Sequence, residues 1–154
     1  MTSTTVTITD ETQIRELITD KIAALHDRDA GRLLADYTPD VVQYDLAPPL
    51  RHVGAEVHDV EGLRSWMAGF DGPIGLEIRD LQITVGAHVA FAHSLNKMHA
   101  TPAGAPASFD LWVRATVGLR KIDGSWRITH EHRSTPFHME TTDGTFRAAT
   151  DLTP

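Results

Sequence analysis

The apolar residues near the start of the chain recur at helical spacing. Between residues 10 and 25 they lie three or four positions apart and therefore share one helix face: Ile14, Leu17, Ile18, Ile22 and Leu25. Asp10 and Gln13 stand three positions apart, like the two polar residues of a capping box. The pattern predicts an amphipathic helix that begins near Asp10 and follows a polar end over residues 1–9.

Two shorter helices and two short strands are predicted before residue 71. Asp29 can cap a second helix, whose apolar positions are Leu33, Leu34 and Tyr37. Residues 41–45 form a short β run, and the proline pair that follows it prevents ladder hydrogen bonding. Residues 51–54 can return as a short strand. Helical spacing predicts a third helix over residues 55–70, with apolar positions at Val60, Leu63, Met67 and Phe70.

The chain alternates with a period of two from residue 76 onward, which indicates β-structure. Residues 76–78 and 81–85 alternate with opposite parity, so a bulge or bend is expected near residues 79–80. A strand over residues 89–98 follows a short turn. The bulge predicts a strongly curved sheet.

Residues 109–122 and 126–134 carry the clearest β-signal. They flank Asp123 and Gly124, and an Asp-Gly pair between alternating runs favours a hairpin because glycine accepts a positive φ. Helices gathered first and antiparallel strands afterwards predict an α+β fold. We expect a cone-shaped, mostly antiparallel sheet curved around the N-terminal helices.

Composition limits the kinds of partner that the protein can have. The chain of 154 residues is 41% hydrophobic, which suits a single domain, with a core over about residues 10–137 and a polar C-terminal tail. A net charge of −7 disfavours binding to nucleic acid, and the absence of cysteine excludes disulfides and thiolate chemistry. No segment resembles a membrane span or a signal peptide, so we expect no membrane contact and a cytoplasmic location.

Three stretches carry a resemblance to a known superfamily: residues 37–42, Gly54 before the third helix, and residues 123–132. Over residues 10–137 the chain resembles the nuclear-transport-factor-like superfamily, which contains ketosteroid isomerase and the SnoaL-like polyketide cyclases. The resemblance implies a cystatin-like α+β barrel whose cone holds a small apolar molecule. It also implies a homodimer and a cofactor-independent enzyme, an isomerase or cyclase or else a lyase or hydrolase.

The first candidates for catalysis are Asp45, His130 and His132. Asp45 follows the first β run and is, by position, the nearest match to the aspartate base of ketosteroid isomerase. His130 and His132 share one strand face and, together with His93 on a neighbouring strand, can form an acid/base group near neutral pH. We interpret Asp45 as the base that abstracts a proton from an apolar carbonyl compound, and one of the two histidines as the donor to its oxygen.

The histidines also have other interpretations. One of them can be a hydrogen-bonded core residue and the other a rim residue. A metal site would need a third ligand from His93 or Asp110, because zinc sites use at least three protein ligands. We therefore predict no metal. Their strand neighbours Glu131 and Arg133 are expected to point outward.

Further substrate-binding candidates lie on the same strands and on the third helix. Asp110, Trp112 and Arg114 share the strand face opposite the apolar one, which makes them either pocket residues or dimer-interface residues. Tyr44 and Asp110 are a possible oxyanion pair, and Trp66 can border the pocket. Asn96 and His93 lie on opposite faces of one strand, so only one of them faces inward unless the strand bulges.

A second hypothesis assigns the fold to a different class of function. The protein would then be a non-catalytic, dimeric domain that binds a small ligand or serves in assembly. That hypothesis predicts a cone without a catalytic carboxylate inside it.

Overall fold

The structure is a computed structural model that describes residues 2–140 and 142–154, with side chains from residue 10 onward. Its first helix, α1, spans Thr2–His26, so the prediction of a start near Asp10 was wrong. Asp10 lies inside the helix and does not cap it. Its carboxylate instead bonds to side chains of the sheet, a tertiary contact that the capping-box pattern cannot reveal. No helix among the described residues is both long and apolar enough to cross a membrane.

The second helix and the first strand meet near residue 36. Helix α2 spans Ala30–Leu34 and is capped as predicted, since the Arg32 amide donates to Asp29 Oδ1 at 3.0 Å. Tyr37 does not continue the helix as expected. It opens strand β1, Tyr37–Tyr44, because this segment pairs in parallel with a strand from the end of the domain.

The segment between β1 and the long strands is short and mostly as predicted. Strand β2, His52–Val53, pairs antiparallel with β1. A 3-10 turn over Gly54–Glu56 precedes helix α3, Val60–Met67, which is shorter than the predicted residues 55–70. Asp59 caps α3 through the Gly62 amide.

Four long strands form most of the sheet: β3 Phe70–Val85, β4 Val89–Pro102, β5 Phe109–Ile122 and β6 Ser125–Ser134. The strand order is β2-β1-β6-β5-β4-β3, and every pairing is antiparallel except that of β1 with β6. Strands β7, Phe137–His138, and β8, Arg147–Ala148, form a separate two-stranded sheet. The α+β fold with a large curved sheet is confirmed.

The hairpin turn and the bulge near residues 79–80 lie where the sequence predicts them. Asp123 and Gly124 both adopt positive φ, 50° and 80°, which suits the tight turn of the β5–β6 hairpin. The register of β3 against β4 shifts between Arg79 and Gln82, and Asp80 between them has a φ of 56°.

Another bulge, in β6, was not predicted. Leu119 lies opposite Ile128, whereas the preceding residue Gly118 lies opposite His130, so Thr129 is one extra residue in β6. A single extra residue reverses which face the following side chains point to. The reversal decides which residues of β6 reach the interior.

Two apolar clusters hold the helices against the sheet. One joins Ile14 and Ile18 of α1 to Leu119, Trp126 and Ile128 of the sheet. The other joins Leu25 and Ala30 to Met67, Ile74 and Ala100.

A polar contact between α1 and the sheet lies beside the first cluster. Asp10 Oδ1 accepts from Lys121 Nζ at 2.9 Å and from Trp126 Nε1 at 3.2 Å, and its side chain is only 8% exposed. The hydrogen bond from Lys121 lowers the pKa of Asp10 and outweighs burial, which acts in the opposite direction.

Asp10→Ala should lower the free energy of unfolding at pH 7 by about 1 kcal/mol, because Trp126 and Lys121 each lose an acceptor. A lowered folded-state pKa stabilises the protein above the ordinary value of 3.8, and this stabilisation is lost as the pH falls through the lower folded-state value. The difference in the free energy of unfolding between wild type and variant, measured by urea denaturation, should therefore shrink below about pH 4. Glu11→Gln, which removes an exposed pair with Arg15, is the control and should cost less than about 0.5 kcal/mol. Equal losses in the two variants would contradict the assignment.

Candidate functional site

A cavity of about 670 Å³ lies between the helices and the concave face of the sheet. Its size is within the range of small-molecule sites. Much of the wall is apolar and comes from β3, β4 and β5, including Leu76, Ile78, Met98, Leu111 and Val113. The cavity therefore suits an apolar ligand.

Four residues from β1, β6 and the loop after β1 form a polar network in this wall. Tyr37 Oη donates to Glu131 Oε2 at 2.6 Å. Arg133 Nε lies 3.1 Å from Glu131 Oε1, an ion-pair contact without hydrogen-bond alignment, and Arg133 Nη2 donates to Asp45 Oδ2 at 3.2 Å. We call Tyr37, Asp45, Glu131 and Arg133 the Arg133 network.

Electrostatics fix the protonation of two members of the network. Burial raises the pKa of the Tyr37 phenol well above 10, and the neighbouring Glu131 carboxylate raises it further. Burial alone would lower the pKa of Arg133, but the carboxylates of Glu131 and Asp45 outweigh it and raise that pKa above its usual value. Tyr37 is therefore a neutral donor and Arg133 a permanent cation, and 35% of the Arg133 side chain stays exposed.

The bulge at Thr129 explains why Glu131 and Arg133 face the cavity. Trp126 and Ile128 point inward before the bulge, and the residues at odd positions point inward after it. The predicted outward orientation of Glu131 and Arg133 was therefore wrong.

The same reversal leaves His130 and His132 out of the cavity wall, whereas Asp45 lines it, so the prediction that the two imidazoles act in the pocket was wrong. His130 Nδ1 lies 2.7 Å from the Val42 carbonyl oxygen, and both imidazoles contact the Tyr44 ring edge to face. Tyr44 is 40% exposed and does not line the cavity either. These three rings form a cluster on the outer side of the sheet.

Three of the predicted site residues do line the cavity. Asp45 lies in the loop after β1, Trp66 lies on α3 at the mouth with 45% of its surface exposed, and Asn96 lies on β4. Asn96 accepts a hydrogen bond from Ser94 Oγ at 2.7 Å. The parity argument for β4 thus holds, since Asn96 faces inward and His93 does not.

The other predicted residues lie on the outer face of the sheet. Asp110 pairs with His99, and Arg114 Nε donates to Ser134 at 3.2 Å. The Trp112 ring lies beneath two cations, with Arg79 Cζ 4.7 Å and Lys97 Nζ 5.6 Å from its centroid. Among the described residues, no three His, Cys, Asp or Glu side chains converge as metal ligands would.

Sequence reasoning missed three members of the network: Tyr37, Glu131 and Arg133. For Glu131 and Arg133 the sequence offered one signal, Gly118 in the neighbouring strand β5. Glycine inside a strand often marks a bulge, and such a bulge would change which β6 side chains face inward. A Cβ at Gly118 would lie 3.5 Å from the Cβ of His130, next to the extra residue.

Comparisons with known proteins agree on the family and the fold. Residues 14–138 match the family described as the SnoaL-like domain. The structure is similar to an NTF2-like protein of unknown function from Pseudomonas putida KT2440, with 33% identity, a TM-score of 0.79 and coverage of 96% of this chain and 98% of that one. No curated protein sequence matches the chain.

More distant structures share the fold alone. A putative scytalone dehydratase from Novosphingobium aromaticivorans DSM 12444 is 19% identical, with a TM-score of 0.76 and coverage of 96% of this chain and 95% of that one. A ketosteroid isomerase-like protein from Erwinia carotovora atroseptica SCRI1043 is 22% identical, with a TM-score of 0.65 and coverage of 80% and 93%. The resemblance stated from the sequence is confirmed at the level of superfamily and SnoaL-like branch.

The ionisation of Tyr37 can be measured directly, because the chain has only 2 tyrosines. In Tyr44→Phe, phenolate absorbance at 295 nm should rise only well above pH 10, since burial and Glu131 both disfavour the charged form. Adding Glu131→Gln should move this rise to lower pH, because the repelling carboxylate is gone. A Tyr37 titration near pH 10 in folded Tyr44→Phe protein would contradict the described network.

Proposed function

We propose, because the chain belongs to the SnoaL-like domain family, that it is a small cofactor-independent enzyme. It would act on an apolar carbonyl compound by proton abstraction and return inside the cavity. The observation that carries the proposal is the Arg133 network, an ionic cluster built into an otherwise mostly apolar wall. Even paired charges lose hydration in such a wall, and titratable groups gathered in a cavity are frequently functional, so their presence favours a role in chemistry.

Asp45 is the proposed base. One of its oxygens accepts from the Leu46 amide at 2.8 Å and the other from Arg133 at 3.2 Å, which orients the carboxylate and leaves lone pairs free. Asp45 would take the proton from the carbon next to the substrate carbonyl. The electron pair of the broken C–H bond would move onto the carbonyl oxygen as an enolate.

Arg133 replaces the histidines as the proposed electrophile. Its guanidinium contacts Asp45 and is exposed toward the cavity, so it can hold the enolate oxygen that forms as Asp45 is neutralised. Arg133 would thus face two negative charges throughout: Glu131 and Asp45 before proton transfer, and Glu131 and the enolate oxygen after it. If the substrate has a β,γ double bond, return of the proton from Asp45 to the γ-carbon gives isomerisation. If it has a β-hydroxyl group, Asp45 returns the proton to that hydroxyl, water leaves, and the enolate electrons form the new carbon–carbon double bond.

Tyr37 and Glu131 would position this pair. Glu131 lies against Nε of Arg133 while Asp45 accepts from Nη2, and the Tyr37 hydroxyl fixes Glu131 at 2.6 Å. The distant likeness to a putative dehydratase and to a ketosteroid isomerase-like protein supports the reaction class through the fold they share.

A second candidate function is binding without catalysis. The observation in its favour is that both oxygens of Asp45 already accept hydrogen bonds from the protein. The cavity would then hold the same kind of ligand without removing a proton. Ligand binding and proton exchange must therefore be measured separately.

We also propose a homodimer through the outer face of the sheet. Trp112 lies there with Arg79 and Lys97 over its ring, and Phe91 is 50% exposed on the same face. Tryptophan and arginine are typical anchors of protein interfaces. The face thus combines an apolar centre with charges around it.

Hydrogen–deuterium exchange at the carbon next to the carbonyl tests the enzyme proposal without knowledge of the natural substrate. Wild-type protein should accelerate exchange in one or more apolar bicyclic ketones such as 1-tetralone in D2O, measured by NMR. Asp45→Asn should lower the exchange rate by about 100-fold or more, with a change in ligand Kd of less than about 3-fold. Arg133→Met should lower the rate by a similar factor.

Two variants serve as matched controls for this test. Asp123→Asn makes the same substitution at the exposed hairpin turn, and His132→Ala removes an imidazole that lies outside the cavity. Both should exchange at the wild-type rate. Binding without exchange in wild-type protein would refute the enzyme proposal in favour of the binding domain.

Trp112→Glu should shift the protein from dimer to monomer at micromolar concentration in sedimentation velocity, because it places a carboxylate at the centre of the proposed interface. Trp66→Glu, at the cavity mouth, should leave the dimer intact. Monomeric wild-type protein, or a dimeric Trp112→Glu variant, would exclude this interface.

A further inference from the structure

The segment after β6 carries large apolar side chains that its own chain leaves exposed. We call residues 137–140 and 142–152 the C-terminal arm. Among the described residues, its strands β7 and β8 pair only with each other. Phe137, Met139 and Phe146 are 56%, 66% and 62% exposed. Large apolar side chains gathered on one short segment indicate a surface that binds a partner.

The arm begins beside the outer face of the sheet. Strand β6 ends at Ser134, which lies opposite Arg114 of β5, and Arg114 Nε donates to Ser134 Oγ at 3.2 Å. Phe137 follows three positions later and therefore lies within about 10 Å of Ser134. Trp112 is two residues before Arg114 on the same strand face. A second copy bound on this face is therefore within reach of the arm.

The arm and the outer face have opposite net charges. Three carboxylates and one arginine give the arm a net charge of −2. Around Trp112 the outer face has three cations and two carboxylates, a net charge of +1: Arg79, Lys97, Arg114, Glu77 and Asp110. Two such faces in direct contact would set like charges against each other. An acidic arm placed on each face supplies the opposite charge.

One charge on the face and one on the arm have no ion-pair partner within the chain. The other face cations near Trp112 are neutralised, since Arg79 Nη2 and Lys97 Nζ lie 2.8 Å and 3.0 Å from the carboxylate oxygens of Glu77. By contrast, Arg114 and Glu140 are exposed, and neither forms an ion pair among the described residues. These two side chains are therefore available for a contact between copies.

We infer that the C-terminal arm of each copy docks on the outer face of a second copy. The exposed apolar side chains of the arm cover the surface around Trp112, and Glu140 of one copy pairs with Arg114 of the other. In a two-fold dimer each such contact forms twice. This inference rests on the proposed homodimer, because it names the segment that completes the interface.

Charge reversal in the full-length protein tests the pair, with the dimer Kd measured by sedimentation equilibrium. Glu140→Arg and Arg114→Glu should each raise this Kd by about 10-fold or more, because each turns two attractions in the dimer into repulsions. The double variant restores opposite charges and should return the Kd to within about 3-fold of wild type. Glu16→Arg makes the same reversal at an exposed position of α1 and should leave the Kd unchanged.

Cross-linking decides whether the arm docks on its own chain or on another. The chain contains no cysteine, so the variants Glu140→Cys and Arg114→Cys each carry a single thiol. Their equimolar mixture, left to exchange subunits and then oxidised with diamide, should give a disulfide-linked dimer with one chain of each variant, identified by mass spectrometry. The mixture of Glu140→Cys with Glu16→Cys is the matched control and should stay unlinked.

The outcomes separate this inference from the proposed homodimer. If Trp112→Glu dissociates the dimer but neither Glu140→Arg nor Arg114→Glu changes its Kd, the inference is wrong and the homodimer stands. The inference also fails if the mixture gives no linked dimer, or if a variant with both cysteines links only within its own chain. Monomeric wild-type protein would exclude the inference and the homodimer together.

Discussion

One extra residue in β6 determines how the interior of this protein is divided between core and site. Upstream of Thr129 the inward positions hold Trp126 and Ile128, which pack against α1. Downstream, the inward positions hold Glu131 and Arg133, whose charges belong to the cavity. Without the bulge the two histidines would face inward and the ion pair would face outward. The inward orientation of Glu131 and Arg133, and with it the Arg133 network, depends on this local break in the ladder.

The guanidinium of Arg133 then holds together groups that are far apart in sequence. It contacts Glu131 on its own strand and Asp45 in the loop after β1. Two carboxylates near a mostly apolar wall would repel each other and lose hydration, and a single cation placed between them offsets both costs. The same arrangement keeps Arg133 charged and Tyr37 neutral. Arg133 thus serves two purposes: it neutralises the two carboxylates, and it is the proposed electrophile.

Local signals in the sequence predicted most of the fold. The Asp123–Gly124 turn, the Asp29 cap and the parity change near residue 79 each depend on neighbouring residues, and each lies where it was expected. The start of α1 and the placement of Tyr37 depend on contacts with the sheet, so propensity alone misassigned them. Asp45 and Asn96 were found by position and parity, whereas Glu131 and Arg133 were lost because Gly118 was not taken as a sign of a bulge.

The parallel pairing of β1 with β6 also has a consequence for how the protein folds. Tyr37 and Glu131 are 94 positions apart in sequence, and Asp45 and Arg133 are 88 apart. Closing loops of this length costs chain entropy before any contact rewards it, so such pairings tend to form slowly. The β3–β4–β5–β6 meander contains the local contacts and is expected to form first, with β1 adding to its edge afterwards. The Arg133 network would then form in the last step of folding, when β1 pairs with β6. A chain in which β6 has not yet formed would lack the network.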